Sequence, residues 1–216
     1  MPETAVTAMQ PYCTVSAPAE AEFVARRSRF LARLAPAADE ERAITLLRAR
    51  RAELPDASHH VYAFRRREQS ACGHSDDGEP QGTAGMPLLG ALIHADLQDC
   101  LLIVTRYFGG VLLGKGGLMR AYTDAAAQAI AAAPLVRMEP ALLLSIDLDY
   151  AQYSRLPAIV ASCGGAVLRA DFAAGVTAHI RLSPDALPSL EAQVRALTSG
   201  RAQLIREGEE YIPVKL

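Results

Sequence analysis

The residues best placed to do chemistry fall in two short stretches. One is Leu101–Tyr122, LLIVTRYFGGVLLGKGGLMRAY, in which five glycines fall within the nine positions Gly109–Gly117. The other is Ser75–Pro87, SDDGEPQGTAGMP, which brings Asp76, Asp77 and Glu79 close together. Glycine permits backbone conformations and close approaches that a Cβ forbids. An apolar run, a glycine loop and a helix-like segment, in that order, can present backbone N–H groups to an anion. Closely spaced carboxylates can bind a divalent cation through oxygen.

Each stretch has a structural reading beside the chemical one. Gly109, Gly114 and Lys115 fit the spacing G-x-x-x-x-G-K, but Gly116 stands where a nucleotide-binding loop needs Ser or Thr to hold magnesium. The spacing therefore predicts no working NTPase. It leaves an anion cradle, or glycines that let a helix pack closely on a sheet. Asp76 and Asp77 are adjacent, unlike the ligands of an EF-hand, and His59, His60 and His74 lack metal-site spacing. The competing reading is a turn at Asp77-Gly78 whose carboxylates accept backbone N–H groups, with His59 orienting a neighbouring loop. Cys72 near His74 has no third group to complete a nucleophilic site. Tyr107-Phe108 could stack on a base or fill the core.

The elements that must position these residues follow from pattern. Strands are expected at Tyr12–Val15, within Glu22–Leu34, at His60–Arg65 and within Asp99–Tyr107. The last reads as a strand covered on both faces, because its apolar run is continuous. Asp39–Leu54 reads as a helix, with Asp39 as cap, Arg48, Arg50 and Arg51 at its end, and Ile44, Leu47 and Leu54 as its apolar face. Pro87 suits a first helical position, and Leu118–Ala133 is an alanine-rich helix. From Glu139 the order becomes βαββαβ: strand Ala141–Asp149, helix Ala151–Cys163, hairpin Ala166–Phe172 with Val176–Leu182, a helix after Ser183-Pro184, and a strand within Ala202–Val214. Pro157 sits awkwardly inside the first of these helices.

Composition bounds the class. The 216 residues are half hydrophobic, enough for one large or two small cores, and no run approaches a membrane span. The first ten residues lack the pattern of a secretory signal and read as a disordered tail. Cys13, Cys72, Cys100 and Cys163 are far apart, which suits reduced cytosolic thiols. Net charge is −2, but Arg26–Arg67 holds eleven Arg against five Asp or Glu. That local excess could meet phosphates or simply be solvated.

Three ordered motifs now carry a resemblance: SHHVYAFR at Ser58–Arg65, SDDGEPQGTAGMP at Ser75–Pro87 and VTRYFGGVLLGKGGLMRAY at Val104–Tyr122. Together with SRFLA at Ser28–Ala32 they closely resemble the YigZ/IMPACT family, over about residues 12–135. The region after Glu139 is similar to the carboxy-terminal domain of bacterial YigZ proteins. The resemblance implies an α+β protein of two domains. The first, residues 11–137, would share the fold of a small-subunit ribosomal protein's second domain and of elongation factor G domain four, with a left-handed βαβ crossover. The second, residues 138–216, would be ferredoxin-like, resembling elongation factor G domain five. It also implies a translation-linked or nucleic-acid-binding role. Eukaryotic members carry an accessory domain that this chain lacks, so their scaffold partner does not transfer.

The expectation is a cytoplasmic binder: a non-catalytic, translation-associated regulator, monomeric, with no cofactor and no membrane. Its partner would be RNA, a ribosomal surface or a translation-related protein. Candidate anion contacts are Arg29, Arg65, Arg106, Gly109, Gly110, Gly114, Lys115, Gly116, Gly117 and Arg120. Ser75, Asp76, Asp77 and Glu79 would shape the adjacent loop or hold a metal. Two alternatives stay open: an enzyme on a phosphorylated substrate, and a pure protein-interaction module.

Overall fold

Alternation of buried and exposed residues along Ala19–Ala25 (β2) and Ser28–Pro36 (β3) folds them into an antiparallel hairpin, turned at Arg26-Arg27. The computed structural model describes residues 9–67 and 72–216. Most of the expected tail, residues 1–8, and Glu68 of the charged run lie outside the described residues. The chain divides into two compact units, built on Tyr12–Arg137 and on Met138–Val214. Among the described residues, no helix is long and apolar enough to cross a membrane.

In the first unit β3 pairs with Cys100–Tyr107 (β6), which pairs with His59–Arg65 (β4), which pairs with Cys72–Ser75 (β5). Each neighbour is antiparallel, and the order is β2-β3-β6-β4-β5. The helix Glu40–Glu53 (α1) links β3 to β4 across β6. Gly85–His94 (α2) and Gly114–Ala132 (α3) pack against the sheet, and Leu102 and Val104 of β6 join their core. Leu101 and Ile103 instead join Ala43 of α1 in a separate cluster. Burial on both faces is why β6 is apolar throughout, since successive strand residues point to opposite sides. Alanines 125, 126 and 129 let α3 sit close to the sheet.

Tyr12–Val15 (β1) lies beside Leu97, and Ser16 N donates to Pro134 O. Leu135–Leu148 (β7) follows directly, and the unit boundary falls within it. The second unit continues with Tyr150–Tyr153 (α4), Leu156–Ser162 (α5), Ala166–Phe172 (β8), Val176–Leu182 (β9), Leu187–Thr198 (α6) and Ile205–Lys215 (β10). Its strand order, β10-β7-β9-β8, is that of a ferredoxin-like sheet. Leu142, Leu144, Ile146 and Leu148 meet Leu156, Val160, Leu190 and Val194 in its core.

Several local expectations need correction. The face that α1 buries is Ala43 and Arg50, with Leu46 and Leu47 partly covered; Ile44 is 41% exposed, and Leu54 is the residue after the helix. Arg50 is not a solvated helix-end charge: it is 3% exposed and ion-paired with Glu20 and Glu53. β5 occupies part of what reads as loop. α2 begins two residues before Pro87 and α3 four residues before Leu118, so Gly114, Gly116 and Gly117 lie inside the first turn of α3. Pro157 breaks no helix, because the chain ends α4 at Tyr153 and Pro157 is the second residue of α5, where no N–H is required.

Candidate functional site: the cleft beneath the glycine loop

β6 delivers Arg106, Tyr107 and Phe108 to the edge of the sheet, and the glycine loop then turns back over them. Gly109 passes so close to the β2–β3 turn that a Cβ there would lie 2.1 Å from the Arg27 carbonyl carbon. Arg26 and Arg27 make that turn with φ of 45° and 69°, a strained region for a long side chain. Ser28 Oγ, buried below, accepts from Gly109 N and from Arg106 Nη2, both at 3.2 Å. Ser58 Oγ accepts from Phe108 N at 3.1 Å. These bonds fix the start of the loop.

Arg106 is the centre of a buried network. Its Nη1 donates to Glu79 Oε1 at 2.7 Å, and Tyr122 Oη donates to the same oxygen at 2.7 Å. Glu79 and Arg106 side chains are 2% and 6% exposed. Burial, then the Glu79 charge and its hydrogen bond, push the Tyr122 phenol up. The Tyr122 ring meets Phe30 edge-on at 5.1 Å, so the network is locked into the apolar core. Arg106 Nε is buried without a partner among the described residues.

A cleft of about 540 Å³ opens above this network, within the range of small-ligand sites. Glu79, Arg106 and His59 contribute to its lining, as do Phe108, Leu112 and Leu113 and the first residues of α3, Gly114 and Lys115. His59 is the register partner of Arg106 across β4 and β6. Its Nδ1 lies 2.8 Å from Asp77 O, and its Nε2 lies 3.9 Å from Glu79 Oε1. No side chain caps α3. Gly116, at its third position, has open space where a Cβ would go, so packing does not require glycine there. Arg120 lies one turn on, over the same face.

The acidic loop saturates itself. Asp76 accepts from Gly82 N, Ala84 N and Gly85 N, at 2.8, 3.0 and 2.8 Å, and so caps α2 from a distance. Burial pushes its pKa up, but those three N–H groups outweigh it, and the carboxyl sits below its ordinary range. Asp77 accepts from His60 N and pairs with Arg51, while Ser75 Oγ accepts from Asp77 N. Among the described residues, no group of His, Cys, Asp and Glu could hold a metal ion.

The structure thus separates residues that sequence alone groups together. Gly109, Gly110, Gly114, Lys115, Gly116, Gly117 and Arg120 lie along one loop and helix start. Arg106 lies beneath them with its charge already met by Glu79. Arg29 is paired with Glu22 at 2.8 Å and lies over the Tyr107 ring. Arg65 is opposite Cys100, at the far end of β4, and bonds to Asp96 and Leu97 O. Six strand steps of about 3.3 Å put it roughly 20 Å from His59. Sequence reasoning missed Tyr122 and Ser28. Both lie inside recognised motifs, but neither shows a polar role without its partner.

Comparison with known proteins agrees along the chain. A family model described as the Impact N-terminal domain matches residues 26–130, and a model described as a domain of unknown function matches residues 146–201. The IMPACT family member YigZ of Escherichia coli is 32% identical over 200 residues, covering 91% of this chain and 98% of that protein. The chain belongs to the IMPACT family. An IMPACT family member of Thermus thermophilus is 38% identical, covering 82% of this chain and 97% of its own. Protein IMPACT of Xenopus laevis is 33% identical over 95 residues, 41% of this chain and 30% of that one. A solved structure described as that of an hypothetical protein is 32% identical with a TM-score of 0.62, covering 93% of this chain and all of the other. The two-domain α+β fold is therefore that of an IMPACT family member, and the cleft lies wholly within its Impact N-terminal region.

Proposed function

We propose that this IMPACT family member is a non-catalytic, translation-associated binding protein. Its Tyr12–Arg137 unit takes RNA phosphates at the start of α3. Family membership supports the translation-associated role, and that role requires the cytoplasm. The observation that carries the RNA reading is an imbalance of pairing. Arg29, Arg65 and Arg106 each have a carboxylate, and so drop from the contact set. Among the described residues, no acidic side chain pairs with Arg26, Arg27, Lys115 or Arg120. Arg26 donates to Leu112 O just before α3, the Arg27 backbone lies against Gly109, and Lys115 and Arg120 are carried by the first two turns of α3, whose uncapped start favours anions through its dipole. Phe108, 48% exposed beside them, offers a face for a base.

A chain with net charge −2 contacts few phosphates. With roughly three contacts, log K for duplex RNA falls against log salt with a slope near −3. Filter binding or fluorescence anisotropy across a salt series measures this slope. RNA affinity absent at low salt overturns the reading. A second reading, a protein-interaction module, has one observation in its favour: Phe108, Val111 and Leu112 are exposed together, Leu112 by 82%. Loss of RNA binding with retained capture of a translation protein through Leu112 would select it.

A further inference from the structure

Within the cleft, His59 Nε2 and the Glu79 carboxylate lie close together with no hydrogen bond between them. The Asp77 carbonyl can only accept, so the proton on His59 must be on Nδ1, 2.8 Å away. In the neutral ring the lone pair is then on Nε2. That atom lies 3.9 Å from Glu79 Oε1, too far for a direct hydrogen bond. Arg106 and Tyr122 both bond to Oε1, and among the described residues no donor reaches Oε2. The Glu79 side chain is buried yet lines the cleft, as does His59. A ligand donor entering the cleft there would meet the imidazole lone pair beside a carboxylate, an arrangement for which the chain itself supplies no donor to Nε2.

We propose that His59 Nε2 and Glu79 form a donor-reading subsite, which accepts a hydroxyl or amino group from a ligand whose phosphate is held at the start of α3. This rests on the RNA reading above and deepens it. The ligand is a nucleotide unit, and its donor is the ribose 2′-hydroxyl or an exocyclic base amino group. The 2′-hydroxyl is the group that tells RNA from DNA at a site. Lys115 and the α3 N–H groups supply affinity without regard to sugar or base. The acceptor pair supplies the discrimination, and Phe108 at the cleft wall gives the base a surface. The β4–β6 register makes the pair: it sets His59 opposite Arg106, and Arg106 holds Glu79.

The test compares short oligomers of uridine, deoxyuridine, cytidine and deoxycytidine on the full chain, at one low salt concentration. Hydroxyl reading predicts that both ribose oligomers bind about fivefold to tenfold tighter than their deoxy forms, the worth of one hydrogen bond. Amino reading predicts that both cytidine oligomers bind tighter than both uridine ones by a similar factor. His59→Asn keeps a donor near the Nδ1 position for Asp77 O and lacks the acceptor at Nε2. It should abolish the discrimination and leave the salt slope unchanged. His59→Gln, which can place an oxygen near Nε2, should restore part of it. Circular dichroism melts check that both variants stay folded. Equal binding of all four oligomers, with no effect of His59→Asn, overturns the subsite and leaves the RNA reading standing. No binding of any oligomer at low salt overturns both.

Discussion

The acidic loop and the glycine loop lie in the same unit and use their hydrogen bonds in opposite ways. At the acidic loop, every carboxylate takes hydrogen bonds from the chain itself. Asp76 holds three backbone N–H groups, Asp77 holds His60 N and Arg51, and Glu79 holds Arg106 and Tyr122. At the glycine loop the donors at the start of α3 have no cap, and Lys115 and Arg120 have no acidic partner among the described residues. The acidic segment, whose carboxylates could have bound a divalent cation, is bonded into its own loop and into the core. The glycine segment, which reads first as a packing device, is the more open. Residue type marks where chemistry is possible; only pairing shows whether the chemistry has been used up internally.

The comparison breaks most visibly at Glu79. Glu79→Ala leaves Arg106 buried without its carboxylate, and should lower unfolding free energy by about 3–5 kcal/mol in a urea titration. A loss under about 1 kcal/mol would mean that the network is not what holds the loop. Asp76→Ala comes next. It strands the N–H groups of Gly82, Ala84 and Gly85 and should cost about 2–3 kcal/mol. The sign with pH follows from the lowered carboxyl. Its folded value lies below its unfolded one, so the stabilisation is complete above an unfolded value of about 3.9. It is lost as pH falls through the folded value. The stability gap between wild type and Asp76→Ala should therefore narrow below about pH 4, and a gap that widens there would refute the assignment.

Gly116→Ala sharpens the contrast at the other loop. The new Cβ meets open space and α3 gains helix propensity, so stability should rise by roughly 0.5–1 kcal/mol. RNA affinity should fall, because the backbone can no longer be approached as closely. A variant that is more stable and binds equally well would leave the glycine without a binding role. Lys115→Ala should move stability least, within about 0.5 kcal/mol, while flattening the salt slope by about one unit. A stability loss beyond that would reveal an internal partner for Lys115 and erase the difference between the loops.

Much of the fold was legible because periodicity reports burial. The continuous apolar run of β6, the alternation of Leu142 to Leu148 and the alanines of α3 each told which faces are covered. Asp39, bonded to Arg42 N at 2.7 Å, was legible as a cap because capping is local. Boundaries near glycine and proline were less so. α3 begins among its glycines, and Pro157 opens a helix where the pattern suggested one interrupted. At Pro157 the local rule holds once the helix start is placed, because a first-turn residue needs no N–H.

The candidate site divides along the same line. The sequence by itself determined the strand–glycine loop–helix order, the positions of Lys115 and Arg120 near a helix start, and the family motifs. Those depend on residues close together in the chain. Only the tertiary structure decided that Arg106 spends its charge on Glu79, that Tyr122 completes the pair, and that Arg65 stands at the other end of its strand. Those outcomes depend on partners 27, 43 and 31 residues away. Strand register and burial fix such pairs, and no spacing along the chain encodes either one directly.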